Sequence, residues 1–575
     1  MFGYCYGIIL TVEKMVGGRV MQVKMLGVEA KEEIDEKVNI VKKFIQEMSC
    51  SSGPEFIDQF ILDNELDNKR ELVTLYEFVN RVFNVTNLKD ADYSFLASLL
   101  NRELLDCILK LKVRVVTAAG RISRTTGTVS EVYEKCNNHK KNVSFTENII
   151  TNYGHKSIAE HDYIVLGLEN VTPIIEQSII EYRLTSFTIK SRRNVDFRNV
   201  GFYVPEFKDK NGNVLSNNEE LQDTYKKYMQ SLFDKYGQLV DEGLPVEDSR
   251  YILPYSYYSN IIMGCDAHEL VRITSDMLYG KLSHISELKD FGNKLKGIIS
   301  EWAPYLIKDL EAEEKKSYYK DNFEFLDDKC QEFNKDGGNL LEKPEMTNFT
   351  ENADNTVLCN ILMGRYQMSK DKAEEVLAQL VKDNPNIARE MMQALLRSKN
   401  QRELEQVIFS FETPISLAVL THISRHRTHS LLVPDFVPLW NLENYITPKS
   451  VAASHEKEYQ EIFRENALMV EYFKSQGVRD EDLVYFYLSG NACNIFTTMN
   501  GRTIEWFSRM RCCNKAQWEI NNIAKVFVEN VKSVAPLIGE CLGSSCDVLG
   551  VCPEGKDSCK ARGVVIKKLV KKENE

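Results

Sequence analysis

RHRTHSLLVPDFV, at residues 425–437, follows the apolar segment ISLAVLT at 415–421. Three basic side chains, Arg425, His426 and Arg427, therefore lie inside a run with the character of a buried helix. Cationic groups in such surroundings are costly unless an anion lies beside them. The cluster indicates either a site for a phosphate, a pyrophosphate or a carboxylate, or a set of internal ion pairs.

A related stretch, EYRLTSFTIKSRR, occurs at residues 181–193. The two stretches share an Arg and a Ser at matching positions. The earlier copy keeps a trailing Ser191 and Arg193, and the later copy keeps the leading Arg425 and His426. Because the surviving parts are complementary, the sequence predicts one working site assembled from both copies.

The duplication extends beyond these two stretches. Similar apolar segments precede them, and similar acidic pairs before aromatic-aliphatic runs follow at 247–254 and 481–488. A third pair of similar segments lies at 302–306 and 534–538. The offset stays near 240 residues, which indicates a duplicated domain rather than a short solenoid repeat.

Composition restricts the class of protein. The net charge of −12 argues against broad nucleic-acid binding, which needs a basic face, although a few Arg side chains still suffice for one phosphate. No run has the roughly 20 apolar residues of a membrane span, and the opening segment lacks the basic lead of a signal peptide. The 14 Cys then predict reduced thiols and a cytoplasmic protein.

The chain divides into four regions. Residues 1–108 match neither repeat and are predicted to be helical, for example at 31–48 and 71–85. The first module is expected at 109–326 and the second at 357–575, where it ends in a Cys-containing tail. The polar stretch 327–356 is the predicted linker.

Two further segments are dense in polar groups. GHKSIAEH at 154–161 has the pattern of a capping box, with Ser157 and Glu160, but it also suits a turn that presents side chains to a ligand. His155 and His161 are six residues apart and do not share a helical face, so a metal site is the weaker interpretation. In NGRTIEWFSRMRCCNKAQWEI at 500–520, a helix would separate Asn500 from Arg511 by about three turns, which suits a long ligand or a solvated basic face.

These segments, in this order, resemble the flavin-dependent thymidylate synthases, present twice. The family pattern G-H-x-S-x-x-E-H is met at 154–161, and R-H-R-x-x-S-x-N-x-x-S-x-R is met in part in each repeat. An Arg in an acidic context corresponds to Arg250, where the second repeat has Val484. The final pattern is met at 500–520, where the first repeat has Asp266, His268 and Met277. The resemblance implies an α+β fold with two tandem modules and a helical N-terminal extension.

The resemblance also implies an activity: methylation of dUMP to dTMP with methylenetetrahydrofolate and NADPH, and with FAD as hydride carrier. It assigns His155 and Arg511 as catalytic, with Arg511 stabilising negative charge on the uracil ring. The implied substrate-binding residues are Ser191, Arg193, Arg250, Arg511 and His422. The implied cofactor-binding residues are His155, Ser157, Glu160, Arg425, His426, Arg427, Asn500 and Arg502.

The family forms homotetramers with sites between subunits. Here Glu181 places a negative charge where the family has Arg, and Asp435, Val437 and Val484 remove a Ser and two Arg from another position. Half of the sites are therefore expected to be lost, and two chains, as a homodimer, would rebuild the assembly of four modules.

Other interpretations remain. His422 occupies a position where the family has Gln, so the substrate could be a related deoxyuridine nucleotide. The losses also allow a degenerate flavin- or nucleotide-binding protein without activity. A zinc site in the C-terminal tail is the less favoured interpretation of its four Cys, because they lack close paired spacing. These are Cys541, Cys546, Cys552 and Cys559.

Overall fold

The computed structural model describes residues 22–25, 109–316, 325–326, 339–555 and 558–559. The helices predicted at 31–48 and 71–85 lie outside the described residues. No helix in the described part of the chain is long and apolar enough to cross a membrane.

Two four-stranded sheets share one topology. In each, the strand order is first, second, fourth, third, and the strand pairs with known register are antiparallel. The duplication seen in the sequence is therefore also a duplication of the fold. The strands are β1 Gln22–Met25, β2 Tyr163–Val171, β3 Thr185–Ile189, β4 Ser259–Asp266, β5 Glu345–Phe349, β6 Ile408–Ser416, β7 Ser430–Leu432 and β8 Ala492–Asn500.

The first strand of each sheet lies in a stretch that was not predicted to contain a strand. β1 belongs to the N-terminal extension, which has no recognisable counterpart in the second repeat, yet it holds the same edge position as β5. β5 in turn falls inside the stretch predicted as the linker, so the last part of that stretch is structured. Both strands are short, which explains why hydrophobic periodicity did not reveal them.

Helices make up most of the remaining described chain. Residues 109–122 are helical. The α-helices after them are α1 Val129–Lys135, α2 His139–Glu147, α3 Pro173–Ile180, α4 Asn218–Asp241, α5 Val246–Ser249, α6 Ala267–Tyr279, α7 Ser286–Trp302, α8 Ile307–Glu313, α9 Ala353–Tyr366, α10 Lys370–Asp383, α11 Ile387–Arg397, α12 Leu417–Ser424, α13 Lys449–Ser454, α14 Glu456–Ser475, α15 Asp480–Leu483, α16 Gly501–Arg511, α17 Trp518–Val534, α18 Pro536–Glu540 and α19 Ser545–Val548.

The second sheet shows how the pleat forms the core. β6 and β8 pair over nine residues, and Phe409 and Phe411 on β6 are buried while the alternating Ser410 and Glu412 are partly exposed. Phe411 stacks on Phe527 of α17, with ring centroids 3.9 Å apart. Alternation of period two thus buries one face of the sheet against a helix.

The last strand of each sheet leads directly into a capped helix. Asp266 ends β4, and its side chain accepts a hydrogen bond from the Glu269 N–H at the start of α6, at 2.8 Å. Asn500 ends β8, and its side chain accepts from the Thr503 N–H of α16 at the same distance. Such a cap stabilises a helix by about 1 kcal/mol. The two repeats have kept this turn although the capping residue differs.

The described chain forms two compact units that do not follow the repeat boundaries. Of the described residues, the first contains 22–25, 109–170, 184–189 and 260–316. The second contains 171–183, 190–259, 325–326, 339–555 and 558–559. A large part of the first repeat therefore lies in the same unit as the described part of the second repeat.

Equivalent loops of the two repeats pair with each other inside the second unit. The Tyr255 N–H donates to the Tyr487 carbonyl at 2.7 Å, and the Ser489 N–H donates to the Leu253 carbonyl at 2.9 Å. Positions 253 and 487 correspond to each other, as do 255 and 489. Reciprocal contacts of this kind are typical of a two-fold interface between identical subunits. Here the arrangement occurs within one chain.

Candidate active site

The predicted site residues fall into two groups. The first unit contains His155, Ser157 and Glu160. The second unit contains Ser191, Arg193, Arg250, His422, Arg425, His426, Arg427, Asn500, Arg502 and Arg511. The predicted nucleotide-binding residues of the first repeat are thus in one compact unit with the Arg425 segment of the second.

Arg250 is a buried cation with no anionic partner in the part of the chain that the structure describes. It follows α5 in a 3-10 turn, and only 2% of its surface is exposed. Its Nε donates to the Glu247 carbonyl at 3.1 Å, whereas its Nη2 is buried and has no hydrogen-bond acceptor in the described structure. Burial lowers the pKa of Arg250, and the nearby Arg192 and Arg193 lower it further. A buried guanidinium of this kind favours an anionic ligand.

Arg193 lies at the edge of the same group and is already paired. Its Nε donates to the Glu247 carboxylate at 2.6 Å, and its Nη2 donates to the Lys515 carbonyl at 3.3 Å. The Ser191 hydroxyl oxygen accepts from the Arg193 N–H at 3.4 Å. An anion bound here would share Arg193 with Glu247.

Arg192, between these two predicted residues, was missed by the sequence reasoning. It is 8% exposed, and its Nη1 donates to the buried Glu176 carboxylate of α3 at 2.5 Å and to the Tyr257 hydroxyl. Its Nη2 reaches Thr421 Oγ1 of α12 at 3.2 Å. Burial alone would lower the pKa of Arg192, but Glu176 raises it well above its ordinary value. Arg192 therefore ties a segment of the first repeat to a helix of the second.

The end of α12 brings His422 and Arg425 to this group. His422 is 7% exposed, and burial, followed by Arg250, Arg511 and Arg425, lowers its pKa well below the ordinary value. Its imidazole is therefore neutral at physiological pH. Part of the Arg425 side chain is exposed, and burial of the rest, together with Arg192, lowers its pKa. No ion pair to Arg425 occurs among the described residues.

Arg511 ends α16 beside the same helix. Its Nε donates to His426 Nε2 at 3.1 Å, and its Nη2 donates to the His422 carbonyl at 2.7 Å. Burial, with Arg425 and Arg193 nearby, lowers the pKa of Arg511 to about 10. Both acceptors are uncharged, because burial and Arg511 lower the pKa of His426 to about 3.

The group carries an excess of positive charge. Glu176 is bonded to Arg192, and Glu247 to Arg193. Glu519 is held by Ser416 and by the Tyr251 hydroxyl, and burial raises its pKa. In the described structure no carboxylate is bonded to the remaining guanidiniums. These are Arg250, Arg425 and Arg511, which with Arg193 and His422 we call the guanidinium cluster.

Two predicted cofactor residues already have structural partners. The sequence suggested that Asn500 lies on the helix. In the structure Asn500 ends β8, and its side chain caps α16. Arg502 forms an ion pair with Glu405 at 2.5 Å. Arg427, by contrast, is exposed and forms no ion pair within the described residues. Arg425 and Arg427 are therefore the two cations of residues 425–427 that are exposed and form no ion pair with a described residue.

The loop at 154–161 is described within the first unit alone. Gly154 has φ +71°, which suits glycine, and Lys156–His161 form a 3-10 helix rather than the start of an α-helix. Ser157 makes no cap, so the capping-box interpretation is wrong. His155, Ser157 and Glu160 are exposed, with His155 Nε2 3.4 Å from Arg124 Nη2. These side chains are open to a ligand.

The cysteines near the C-terminal end of the described chain are not grouped as metal ligands. No group of three or more His, Cys, Asp or Glu among the described residues is arranged to hold a metal ion. Cys546, Cys552 and Cys559 instead line a cavity of about 370 Å³ together with Cys512 and Cys513. Cys541 is buried, and burial raises its pKa to about 12.

Comparison with known proteins identifies the family. The model of the family described as thymidylate synthase complementing protein matches residues 104–305 and again residues 346–537. The two matches together cover more than half of the chain, which therefore belongs to this family and contains its module twice. The predicted tandem relationship and the thymidylate synthase class are confirmed.

Individual relatives are described as flavin-dependent thymidylate synthases. The flavin-dependent thymidylate synthase of Clostridium tetani is 29% identical over 248 residues, covering 39% of this chain and 95% of the relative. That of Geobacter sulfurreducens is 31% identical over 158 residues, covering 27% and 64%. That of Sulfurisphaera tokodaii is 35% identical over 153 residues, covering 25% and 57%.

A solved structure of similar kind is a UMP/dUMP methylase, PolB, from Streptomyces cacaoi bound with 5-Br dUMP. It is 18% identical, with a TM-score of 0.30, and the alignment covers 35% of this chain and 90% of that one. This likeness is too slight to bear on fold or function.

Proposed function

We propose that this protein methylates dUMP to dTMP at a site built from parts of both repeats. The observation that carries the proposal is the guanidinium cluster. It gathers Arg193 and Arg250 of the first repeat with Arg425 and Arg511 of the second inside one compact unit. A cluster of cations that lacks bonded carboxylates at three of its members is suited to a nucleotide monophosphate.

The phosphate would bind to Arg250, Arg193 and Ser191. The buried Nη2 of Arg250 has no acceptor in the described structure, and a phosphate oxygen would supply one. Arg193 would donate from the rim, and the Ser191 hydroxyl would add a neutral donor. Charge-assisted bonds of this kind are worth about 1.5–3 kcal/mol each.

The uracil edge would be read by Arg511 and His422. C5 of uracil becomes nucleophilic only when negative charge on the ring is stabilised, and a fixed guanidinium at the carbonyl edge does this. The neutral imidazole of His422 offers one donor and one acceptor to the base. No cysteine nucleophile is required in this arrangement.

The flavin would be held by the free cations of the second repeat. Arg425 and Arg427 are exposed and fit the anionic pyrophosphate of FAD, whereas Asn500 and Arg502 would contribute only beside their structural contacts. Bound FAD would supply hydride transfer, with NADPH as reductant and methylenetetrahydrofolate as carbon donor. We assign His155, Ser157 and Glu160, whose side chains are exposed, to the cofactor as well.

Only half of the family's sites would be functional. The positions that correspond to Ser191, Arg193 and Arg250 hold Asp435, Val437 and Val484, which offer a phosphate no cation. We therefore expect one nucleotide site per chain. A homodimer would then contain four modules and two working sites.

The direct test is the formation of dTMP from dUMP with methylenetetrahydrofolate, NADPH and FAD. The reaction is measured by the release of tritium from C5 of the base. Calorimetry should find one dUMP per chain, and dUMP should bind much more tightly than deoxyuridine because the nucleoside lacks the phosphate. Equal affinity for the two, or two equivalent dUMP sites per chain, would contradict the proposal.

The same assay with UMP separates the related-nucleotide alternative. Turnover of UMP at a rate similar to that of dUMP would move the assignment to a broader uridylate methylase. Purified protein without bound flavin and without turnover of either nucleotide would favour a degenerate binding protein.

A further inference from the structure

The half-buried side chain of Arg511 makes no hydrogen bond to a carboxylate among the described residues. Arg192 is bonded to Glu176 and Arg502 to Glu405, so each has a carboxylate. Arg511 instead donates to a ring nitrogen of His426 and to a backbone carbonyl. Its Nη1 donates no hydrogen bond within the described structure. Two hydrogen bonds therefore fix the guanidinium, and no carboxylate of the described chain is bonded to it.

The His426 ring, which accepts the hydrogen bond from Arg511, is itself fixed by packing. Only 7% of its surface is exposed, and its edge packs on Phe507 of α16, with ring centroids 4.9 Å apart and an angle of 70° between the planes. Because Arg511 Nε can only donate, His426 Nε2 must accept, and the ring proton lies on Nδ1. Nδ1 is buried and has no partner among the described residues. His426 accordingly has no free nitrogen directed at solvent.

We propose that His426 is a positioning residue, which fixes the guanidinium of Arg511 against the substrate base through the Nε–H···Nε2 hydrogen bond. This inference rests on the proposed function and replaces a direct role of His426 in flavin binding. A neutral acceptor is the appropriate choice, since a carboxylate at the same place would neutralise the charge that the uracil ring needs.

The duplicated sequence provides an internal comparison for this pair. The position of His426 in the first repeat is Tyr182, and the position of Arg511 is Met277. Both members of the pair are present in one repeat and both are absent from the other. If His426 served the fold of the module in general, the first repeat would have no reason to lose it together with the arginine.

The test is a double-mutant cycle of His426→Leu and Arg511→Ala in the full-length protein, with His426→Gln as the conservative variant. Leu keeps the bulk beside Phe507 but removes the acceptor, whereas the Gln carbonyl can replace Nε2. His426→Leu is expected to lower kcat about 10- to 100-fold with less than about threefold change in KM for dUMP, because a misplaced catalytic group costs up to about 10²-fold. His426→Gln should recover most of the activity.

Three outcomes would overturn the inference. One is loss of bound FAD in His426→Leu, measured by flavin absorbance, which would make His426 a cofactor ligand. Another is a further loss of activity by His426→Leu in the Arg511→Ala background, since a residue that acts through Arg511 has no effect without it. The third is failure of His426→Gln to recover activity while its melting temperature is unchanged.

Failure of the proposed function is distinguishable from failure of this inference. If the unmodified protein makes no dTMP, the proposed function falls. The double-mutant cycle is then measured as changes in the free energy of unfolding. A coupling energy between positions 426 and 511 supports the contact, and the absence of a coupling energy overturns the inference. His455→Gln is the matched control, because His455 pairs with Glu242 and bonds no member of the guanidinium cluster.

Discussion

The two repeats keep the same backbone while their chemistry has diverged. Arg250 and Val484 each begin a 3-10 turn after a four-residue helix, and both are buried, at 2% and 0% exposure. One position holds a cation that has no anionic partner among the described residues, and the other holds an aliphatic side chain. Local structure of this kind is therefore set by the turn and its burial and tolerates either residue. We propose that the difference concerns ligand binding.

A second difference lies beneath the guanidinium cluster. Glu176 and Arg192 form a buried ion pair in the first repeat, whereas the corresponding positions of the second hold Leu420 and Phe436. Phe436 stacks on Trp440, with ring centroids 5.2 Å apart. A buried ion pair and an apolar cluster of similar volume can support comparable stability. The ion pair thus places a fixed cation, Arg192, beside the guanidinium cluster without adding net charge.

The largest effect should come from exchanging charge between equivalent positions 181 and 425. Arg425→Glu places an anion where the substrate or cofactor carries one, so activity should fall by about 10²- to 10⁴-fold, from roughly 3–6 kcal/mol of lost and opposed interaction. Glu181→Arg should stay within about twofold of the unmodified rate. Initial rates of dTMP formation measure both, and equal damage from the two substitutions would refute the asymmetric site.

Arg250→Val copies the second repeat into the first and should weaken dUMP binding about 10- to 100-fold. The free energy of unfolding should not fall, because a buried cation without an anionic partner is removed. Isothermal calorimetry and thermal unfolding give the two quantities. A large drop in stability would show that Arg250 serves the fold.

Val484→Arg is the matched control for Arg250→Val. Val484 is fully buried, so the new charge would be buried as well and should destabilise the protein by several kcal/mol. It should add no second dUMP site, because Asp435 and Val437 remain in place. A second equivalent of bound dUMP would contradict the assignment of the lost site.

Arg193→Ala should have a smaller effect on dUMP affinity, about fivefold. Arg193 already donates to Glu247 at 2.6 Å, so the phosphate gains only the difference between two interactions, about 1 kcal/mol. Glu247→Gln is the opposite test, since it frees Arg193 and should tighten dUMP binding. Equal losses for Arg193→Ala and Arg250→Val would show that the Glu247 contact does not compete.

The smallest effect on substrate is expected for His429→Thr, which introduces the equivalent Thr185 of the first repeat. Burial, with Arg183 nearby, lowers the pKa of His429 to about 4. Below about pH 6.5 the unfolded chain binds a proton that the folded chain does not, so stability falls as the pH falls toward 4.

The substitution should reduce the slope of stability against pH in that window by up to about 1.4 kcal/mol per pH unit. Affinity for dUMP at neutral pH should not change. Chemical denaturation at a series of pH values measures the slope, and an unchanged slope would show that His429 is not the group that titrates.

Sequence reasoning found most of the candidate site because its motifs are contiguous. Arg193, Arg250, His422 and Arg511 each lie in a stretch that resembles the family, and the structure places all four in one unit. It missed Arg192, because the role of this residue depends on its contacts with Glu176 and Thr421, which are distant in sequence. It also misjudged Asn500, whose capping role depends on where β8 ends.

The sequence by itself determined the duplication, the family and the complementary losses, because these are patterns of residue type along the chain. Only the tertiary structure decided that residues 171–183 and 190–259 share a unit with the second repeat, and that β1 completes the first sheet. Both depend on contacts between residues far apart in sequence. Burial also decided the charge states, since neutral His426 beside Arg511 follows from desolvation and neighbouring cations, which no local motif encodes.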